Sequence, residues 1–388
     1  MGAVIASPAT AQDAAFRALF PSLDARVHLA SCSYAPRGTF VDGALDEMLR
    51  ALEGDAPWPV YEHQVDVLRA RVAELLGAGP RQVALLPNAT ISAFQAVNSQ
   101  AWARRPRIVM SAAEFPSLAQ VWHAQAARGA EVVLVERASG DASLLDAYRR
   151  AIDERTGWVS VPAVDYLTGA RLPVREIAGL ARAHGAASFC DAYQWVGTEP
   201  VDACALGVDY LVAGAMKYLL GLPGIAFLYA RQPEAVARAS ELTGWQARVD
   251  PFAFDPARLD YPPTARRFET GTPAIAAVFA AAAGVRVLQA LTLPRVAEHI
   301  AWLKRYLVDA LDDAGVAPRW LADPARTGAH VSLRVTDPRP LLREFAARRI
   351  QVSPRLDAIR VAFHAFNTER DVDALCAALV ARRDAVAA

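Results

Sequence analysis

From about residue 65 to about 240, short apolar runs alternate with stretches of helical periodicity, and this rhythm narrows the possible folds more than any other feature of the chain. The runs are QVALLP, RIVMS, AEVVLV, GWVSVPAV, AASFC, DYLVAG and GIAFLYA. They are apolar almost without interruption, which suits strands covered on both faces and not a sheet with one wet side. The segments 90–103, 117–129 and 173–184 read as the covering helices, with Pro173 and Gly185 marking the start and stop of the last. A mostly parallel, helix-covered α/β sheet is therefore expected.

Residues 241–272 are rich in Pro, Asp and aromatics and have little periodicity, so they read as a long functional loop. Helices over 273–316 lead to HVSLRV, RIQVS and AIRVAFH, which alternate with helical stretches at 339–347 and 368–386. That is the pattern of a smaller α+β unit. The expected organisation is an N-terminal segment (1–30), a large domain (31–290) and a small C-terminal domain (291–388), with the N-terminal segment packing near the last.

The 388 residues are 54% hydrophobic, enough for one large core and a smaller one. Lys+Arg and Asp+Glu both count 41, so bulk charge gives no hold on nucleic acid or an anionic membrane. Cys32, Cys190, Cys204 and Cys376 lack metal-ligand or redox spacing, so no metal is expected, and no apolar signal or spanning segment stands out. The reading is a soluble, cytoplasmic protein.

Only two of the basic residues are lysines, Lys217 and Lys304. Lys304 falls beside the apolar stripe Ile300, Leu303, Leu307 and Leu311 of an ordinary amphipathic helix. Lys217 follows an apolar strand and precedes a Gly-rich turn, in DYLVAGAMKYLLGLPGIAFLYA. That places its amine at a sheet edge, where ligands of open α/β sheets bind and where poor solvation favours the neutral, nucleophilic amine. A lysine snorkelling out of a strand end fits the same pattern.

Upstream, AASFC runs into DAYQWVG, putting Asp191 at a strand end with Gln194 three residues on. A carboxylate there pairs with a protonated pyridine nitrogen, and the amide reaches a ring phenolate; alternatively Asp191 only caps a turn. In LPNATISAF, the backbone near Ala89 and Thr90, with the Thr90 hydroxyl, forms a phosphate cradle at a helix start, unless Asn88 or Thr90 serves as a plain N-cap. Phe115, just past RIVMS, is placed to stack on a planar cofactor or to join the core.

Together these residues resemble the class V aminotransferase family of fold-type I pyridoxal-phosphate enzymes, which includes cysteine desulfurases, kynureninase and isopenicillin N epimerase. The resemblance runs from HLASCSYAPRG through VDYLTGARLP, DAYQWVG, MKYLLGLPG and RFETGTP to IRVAFHAFNTERDVDAL. Residues 157–230 are especially like kynureninase, and TGWQARVDPFAFDP is similar to that enzyme's tryptophan loop. The resemblance implies pyridoxal 5'-phosphate held by Lys217 as a Schiff base, Lys217 as general base, Asp191 at the pyridine nitrogen, Gln194 at the phenolate, Thr90 at the phosphate and Phe115 on the ring. It also implies a homodimer, with Gly271 and Thr272 reaching the neighbour's phosphate, and Arg360 holding the substrate α-carboxylate. Tyr34, Arg37, Tyr166 and Trp245 are candidates for reading the substrate side chain.

The departures narrow the activity. Many desulfurases carry a Ser and a His just ahead of the lysine, where this chain has Gly214 and Met216, and kynureninase's tyrosine neighbour is missing too. No cysteine occurs between 318 and 360, the usual region of the desulfurase nucleophile. The expectation is an aminotransferase acting on the amino group of a small amino compound, ahead of a kynureninase-like or C–S β-lyase and then an epimerase. A non-catalytic cofactor-binding module would need a DNA-binding partner domain, and the residues before Arg26 are too few to make one. A nicotinamide enzyme lacks its GxGxxG.

Overall fold

Each of the seven apolar runs before residue 240 forms a strand, and the runs of the C-terminal region form a second, smaller sheet. The computed structural model describes residues 11–137, 140–236 and 238–386, so residues 1–10 of the expected N-terminal segment lie outside the described residues. The chain opens with helix α1 (Ala11–Arg17), strand β1 (Val27–His28), and helices α2 (Thr39–Leu52) and α3 (Pro57–Leu75). The alternating region follows as β2 (Val83–Leu86), α4 (Ala89–Asn98), β3 (Arg107–Ser111), α5 (Pro116–Ala124), β4 (Glu131–Val135) and α6 (Asp141–Ala151). It continues with β5 (Thr156–Pro162), α7 (Val174–Ala183), β6 (Ala187–Asp191), the short α8 (Ala203–Leu206), β7 (Tyr210–Gly214) and β8 (Ala226–Ala230).

These strands make one seven-stranded sheet in the order β2-β8-β7-β6-β5-β3-β4. All its pairings are parallel except those of β8, which runs antiparallel to both β2 and β7. Strands β2, β7 and β8 are buried at every residue, as their unbroken apolar sequences require. One consequence of this topology positions the site. The carboxyl ends of β2, β3, β5, β6 and β7 all emerge on one rim, the edge where open α/β sheets bind ligands.

Residues 241–272 contain only short 3-10 turns, at Trp245–Ala247, Pro251–Ala253 and Ala265–Phe268. The loop is anchored from inside. Glu269, buried, accepts from Arg69 at 2.5 Å and from the Leu85 amide at 2.9 Å, which ties the loop's end to α3 and β2.

Helices α9 (Ile275–Leu291) and α10 (Leu293–Asp313) lead to β9 (His330–Arg334), α11 (Pro338–Ala347), β10 (Ile350–Gln351), β11 (Ser353–Arg355), β12 (Ala358–Ala362) and α12 (Glu369–Ala381). The run RIQVS, expected as one strand, divides between two sheets. β10 pairs with β1, whereas β11 joins the antiparallel sheet β11-β12-β9. The N-terminal segment is thus stitched to the C-terminal region, and an isolated bridge from Ala30 to Ala362 extends the seam.

Seven of the 17 residues of helix α9 are alanine, and its small side chains let backbones approach closely. A Cβ on Gly284 would fall 2.2 Å from the Leu219 carbonyl oxygen, so the helix rests directly on the turn that follows Lys217. The other lysine lies beside its apolar stripe on α10, as its periodicity implies, but is covered as well. Lys304 is buried, and its Nζ donates to Pro324 O at 3.1 Å, Thr327 O at 2.9 Å and Thr327 Oγ1 at 3.1 Å. Helical periodicity marks its stripe but does not reveal that the 324–327 turn covers it. Among the described residues no single helix is long and apolar enough to cross a membrane.

Candidate active site

Lys217 sits on the turn joining β7 to β8, just beyond the rim. Its Nζ lies 4.2 Å from the Tyr193 ring centroid and 5.8 Å from that of Phe115, and makes no hydrogen bond among the described residues. Burial pulls its pKa down to about 8, a shift partly opposed by the charge of Asp191. The contrast with Lys304 is informative. Burial lowers that amine to about 8 as well, yet three oxygen acceptors take up its protons. Lys304 is a tie between elements; Lys217 is an amine held without a polar partner, able to shed its proton near neutral pH and attack a carbonyl.

Asp191 ends β6 in the lane beside β7, buried, and accepts from the Tyr193 amide at 2.9 Å. Burial raises its pKa, while that hydrogen bond and the Lys217 charge pull the other way. A cationic partner is therefore what this carboxylate lacks. Gln194 donates through Nε2 to Cys32 O at 3.0 Å and keeps a second amide proton, while its Oε1 is buried with no partner. An orphaned buried acceptor is uncommon and marks a place where a ligand group is expected.

At the end of β2, Asn88 caps α4 by accepting from the Ile91 amide at 2.9 Å. The plain capping role thus belongs to Asn88. The amides of Ala89 and Thr90, one residue buried and the other half-buried, remain at the positive helix end for an anion. Beyond β3, Phe115 is 36% exposed, and its ring meets that of Tyr166 edge-on at 5.2 Å. Tyr166 follows β5, and its carbonyl accepts from Arg360 Nη1 at 2.8 Å. Arg360 is fully buried on β12, its Nη2 also bonded to Ser33 Oγ at 3.0 Å and Ser353 Oγ at 2.7 Å. The described residues include no carboxylate paired with it.

The remaining candidates are placed differently. Gly271 and Thr272 are exposed and border a small cavity with Leu86 and Pro87. Trp245 contacts Trp58, Phe252 and Phe254, an aromatic cluster separate from Phe115 and Tyr193. Tyr34 is 43% exposed with its ring against His28, although its neighbour Ala35 bonds the Met216 carbonyl at 2.9 Å. Arg37 is on the surface, paired through two hydrogen bonds with Asp42 at 2.8 and 2.7 Å, so its charge is already answered. Sequence reasoning missed Tyr193 and Glu114. Glu114 is buried, accepts from the Ser160 hydroxyl at 2.6 Å, and has its pKa pushed up to about 8 by burial and by nearby Asp191.

Residues 60–337 match the family model for class-V aminotransferases. The chain belongs to that family. Its members are pyridoxal-phosphate-dependent enzymes acting on amino acids. An uncharacterized aminotransferase of Bacillus subtilis (strain 168) is 32% identical over 92% of this chain and 94% of its own length. A kynureninase of Deinococcus radiodurans is 31% identical over 69% of this chain and 65% of its own. The fold matches that of a cysteine desulfurase from Thermococcus onnurineus NA1, with a TM-score of 0.84, 21% identity, and 98% and 99% of the two chains covered.

The family's cofactor fits the residues present. The unpartnered Lys217 amine, the buried Asp191 carboxylate, the orphaned Gln194 oxygen and the open start of α4 lie at strand ends on one rim or just past them, and each would meet one need of bound pyridoxal phosphate. The class-V chain departs from many desulfurases at Gly214, and here the reason is spatial. A Cβ at that position would lie 2.2 Å from the Tyr193 hydroxyl oxygen.

Proposed function

We propose that Lys217 covalently holds pyridoxal phosphate in this class-V enzyme and that the reaction is transamination of an amino acid. The observation carrying the proposal is the Lys217 amine, desolvated and without a polar partner beside Asp191. When bound, the cofactor's ring acts as an electron sink for the substrate α-carbon. The protein's own groups do the rest. Asp191 supplies the negative charge that keeps a ring nitrogen protonated, and the second Nε2 proton of Gln194 is available to an anionic ring oxygen. The Ala89 and Thr90 amides answer phosphate charge, and Phe115 covers one ring face.

Arg360 is prearranged for a carboxylate. Its guanidinium is oriented by Ser33, Ser353 and the Tyr166 carbonyl, and a bidentate anion would take one Nη2 proton from a serine hydroxyl together with the second Nη1 proton. The Lys217 amine, with a pKa near 8, would be suited to take a proton from a substrate α-carbon and, as the ammonium, to give it back. The absence of cysteine between 318 and 360 argues against sulfur transfer to an enzyme thiol. The kynureninase relative supports a β-lyase as the second reading.

The enzyme is proposed to work as a homodimer in the cytoplasm. Trp58, Phe252 and Phe254, the last 74% exposed, form an apolar surface with Trp245 that a second copy would cover. Exposed Gly271 and Thr272 then reach across to the neighbour's phosphate, and four unpaired cysteines suit a reducing compartment.

Two measurements test the reading. Purified protein supplied with pyridoxal phosphate should gain a visible absorbance band that Lys217→Ala lacks; a wild type that takes up none sinks the proposal. A panel of amino acids should then yield keto acid with stoichiometric pyridoxamine phosphate. Alanine, pyruvate, ammonia or sulfide without it would establish the lyase instead.

A further inference from the structure

We infer that the Tyr193 hydroxyl is a hydrogen-bond donor to the cofactor's phosphate, occupying the space that a side chain at position 214 would fill in its absence. The inference rests on the reading that Lys217 holds pyridoxal phosphate.

Space is the first argument. An ideal Cβ on Gly214 would lie 2.2 Å from Tyr193 Oη, 2.4 Å from Cζ and 2.7 Å from Cε2, all far inside contact distance. Nothing larger than glycine fits at 214 while the phenol is there. The glycine is accounted for by the tyrosine lying against it.

Direction is the second. Asp191 pairs in register with Val212, so Gly214 stands two residues further along the neighbouring strand. In the sheet, β7 separates β6 from β8 and β2, and α4 starts from the end of β2. A side chain that leaves the Asp191 lane and crosses Gly214 therefore heads toward the start of α4. Tyr193 packs against a buried cluster whose members include Ala89 and Ala93 of that helix. Its hydroxyl reaches the Gly214 position, one strand over from Asp191.

Chemistry is the third. The hydroxyl makes no hydrogen bond among the described residues, though most of the ring is covered. Burial and the nearby Asp191 charge raise its pKa, so it keeps its proton and can only donate to an anion. One donor facing a phosphate oxygen is a charge-assisted bond of the stronger kind.

The test compares apoenzyme titrations with pyridoxal phosphate and with pyridoxal, which has the same ring and aldehyde but no phosphate. In Tyr193→Phe, the dissociation constant for pyridoxal phosphate should rise about tenfold, and that for pyridoxal should stay unchanged. Tyr193→Ala combined with Gly214→Ser, which moves a hydroxyl onto the strand once the ring is gone, should bind pyridoxal phosphate more tightly than Tyr193→Ala alone. Unchanged phosphate-ester affinity in Tyr193→Phe overturns the inference, as does an equal loss for both ligands, which would mean the phenol only shapes the pocket. A wild-type apoenzyme that binds neither ligand removes the cofactor reading itself, an outcome distinct from both.

Discussion

Arg360 and Ser353 face each other across the β11–β12 ladder, and the serine hydroxyl accepts from Arg360 Nη2 at 2.7 Å. The guanidinium is thereby fixed before any substrate arrives. Replacing it with a flexible point charge, Arg360→Lys, should lower kcat/KM for amino acids by at least about tenfold, since the fork is lost. The visible band of bound cofactor should persist. An unchanged kcat/KM would show that Arg360 is a structural tie between β12 and the segment around Ser33.

Cofactor capture should follow the protonation of Lys217. Only the neutral amine attacks a carbonyl, so the rate at which apoenzyme takes up pyridoxal phosphate should climb with pH and level off above about 8. Asp191 raises that pKa, so Asp191→Asn should move the inflection to lower pH. A stopped-flow absorbance series from pH 6 to 10 distinguishes this from an unperturbed lysine, whose rate would still be rising at the upper limit.

Glu269→Ala should be severe. It strips the buried Arg69 of its buried carboxylate, leaving only exposed Asp66 at 3.6 Å, and the Leu85 amide of its acceptor; breaking a buried ion pair costs about 3–5 kcal/mol. Chemical denaturation should show that loss. A change below about 1 kcal/mol would mean Arg69 escapes to solvent.

Acid should weaken the fold before the carboxylates titrate. Burial holds His364 at about 4 and His330 at about 3. An unfolded histidine accepts its proton near the ordinary value of about 6.5, and the folded ones refuse it, so stability is complete above that pH and falls as pH drops toward 4. Each residue contributes up to about 1.4 kcal/mol per pH unit. Urea unfolding at pH 7 and pH 5 should differ by on the order of 3 kcal/mol. Equal midpoints would mean that both imidazoles charge freely in the native state.

The rim was readable from sequence because a parallel strand buried on both faces leaves a continuous apolar signature, and the residues just past each signature stand on the rim. Asp191, Thr90, Phe115 and Lys217 were all found that way. Contacts made across strands were not readable. Tyr193 and Gly214 become neighbours only because β6 pairs with β7, and no local pattern announces it. Arg37 resembles a binding residue until Asp42, five residues on, is seen to take both its forks. Lys304 lies beside its expected apolar stripe on α10, but periodicity gives only the face of a helix, and the cover comes from a turn twenty residues away.

Ser33 touches Arg360 across 327 positions of sequence, and this has a consequence for how the molecule is made. Strands β2 to β8 can assemble once residue 230 has left the ribosome, but the guanidinium is not yet translated. At about 5–20 residues per second, roughly ten seconds separate the two events. During that interval the nascent chain carries Lys217 and the start of α4 but not Arg360. The carboxylate grip thus waits for β12, the last strand to be translated.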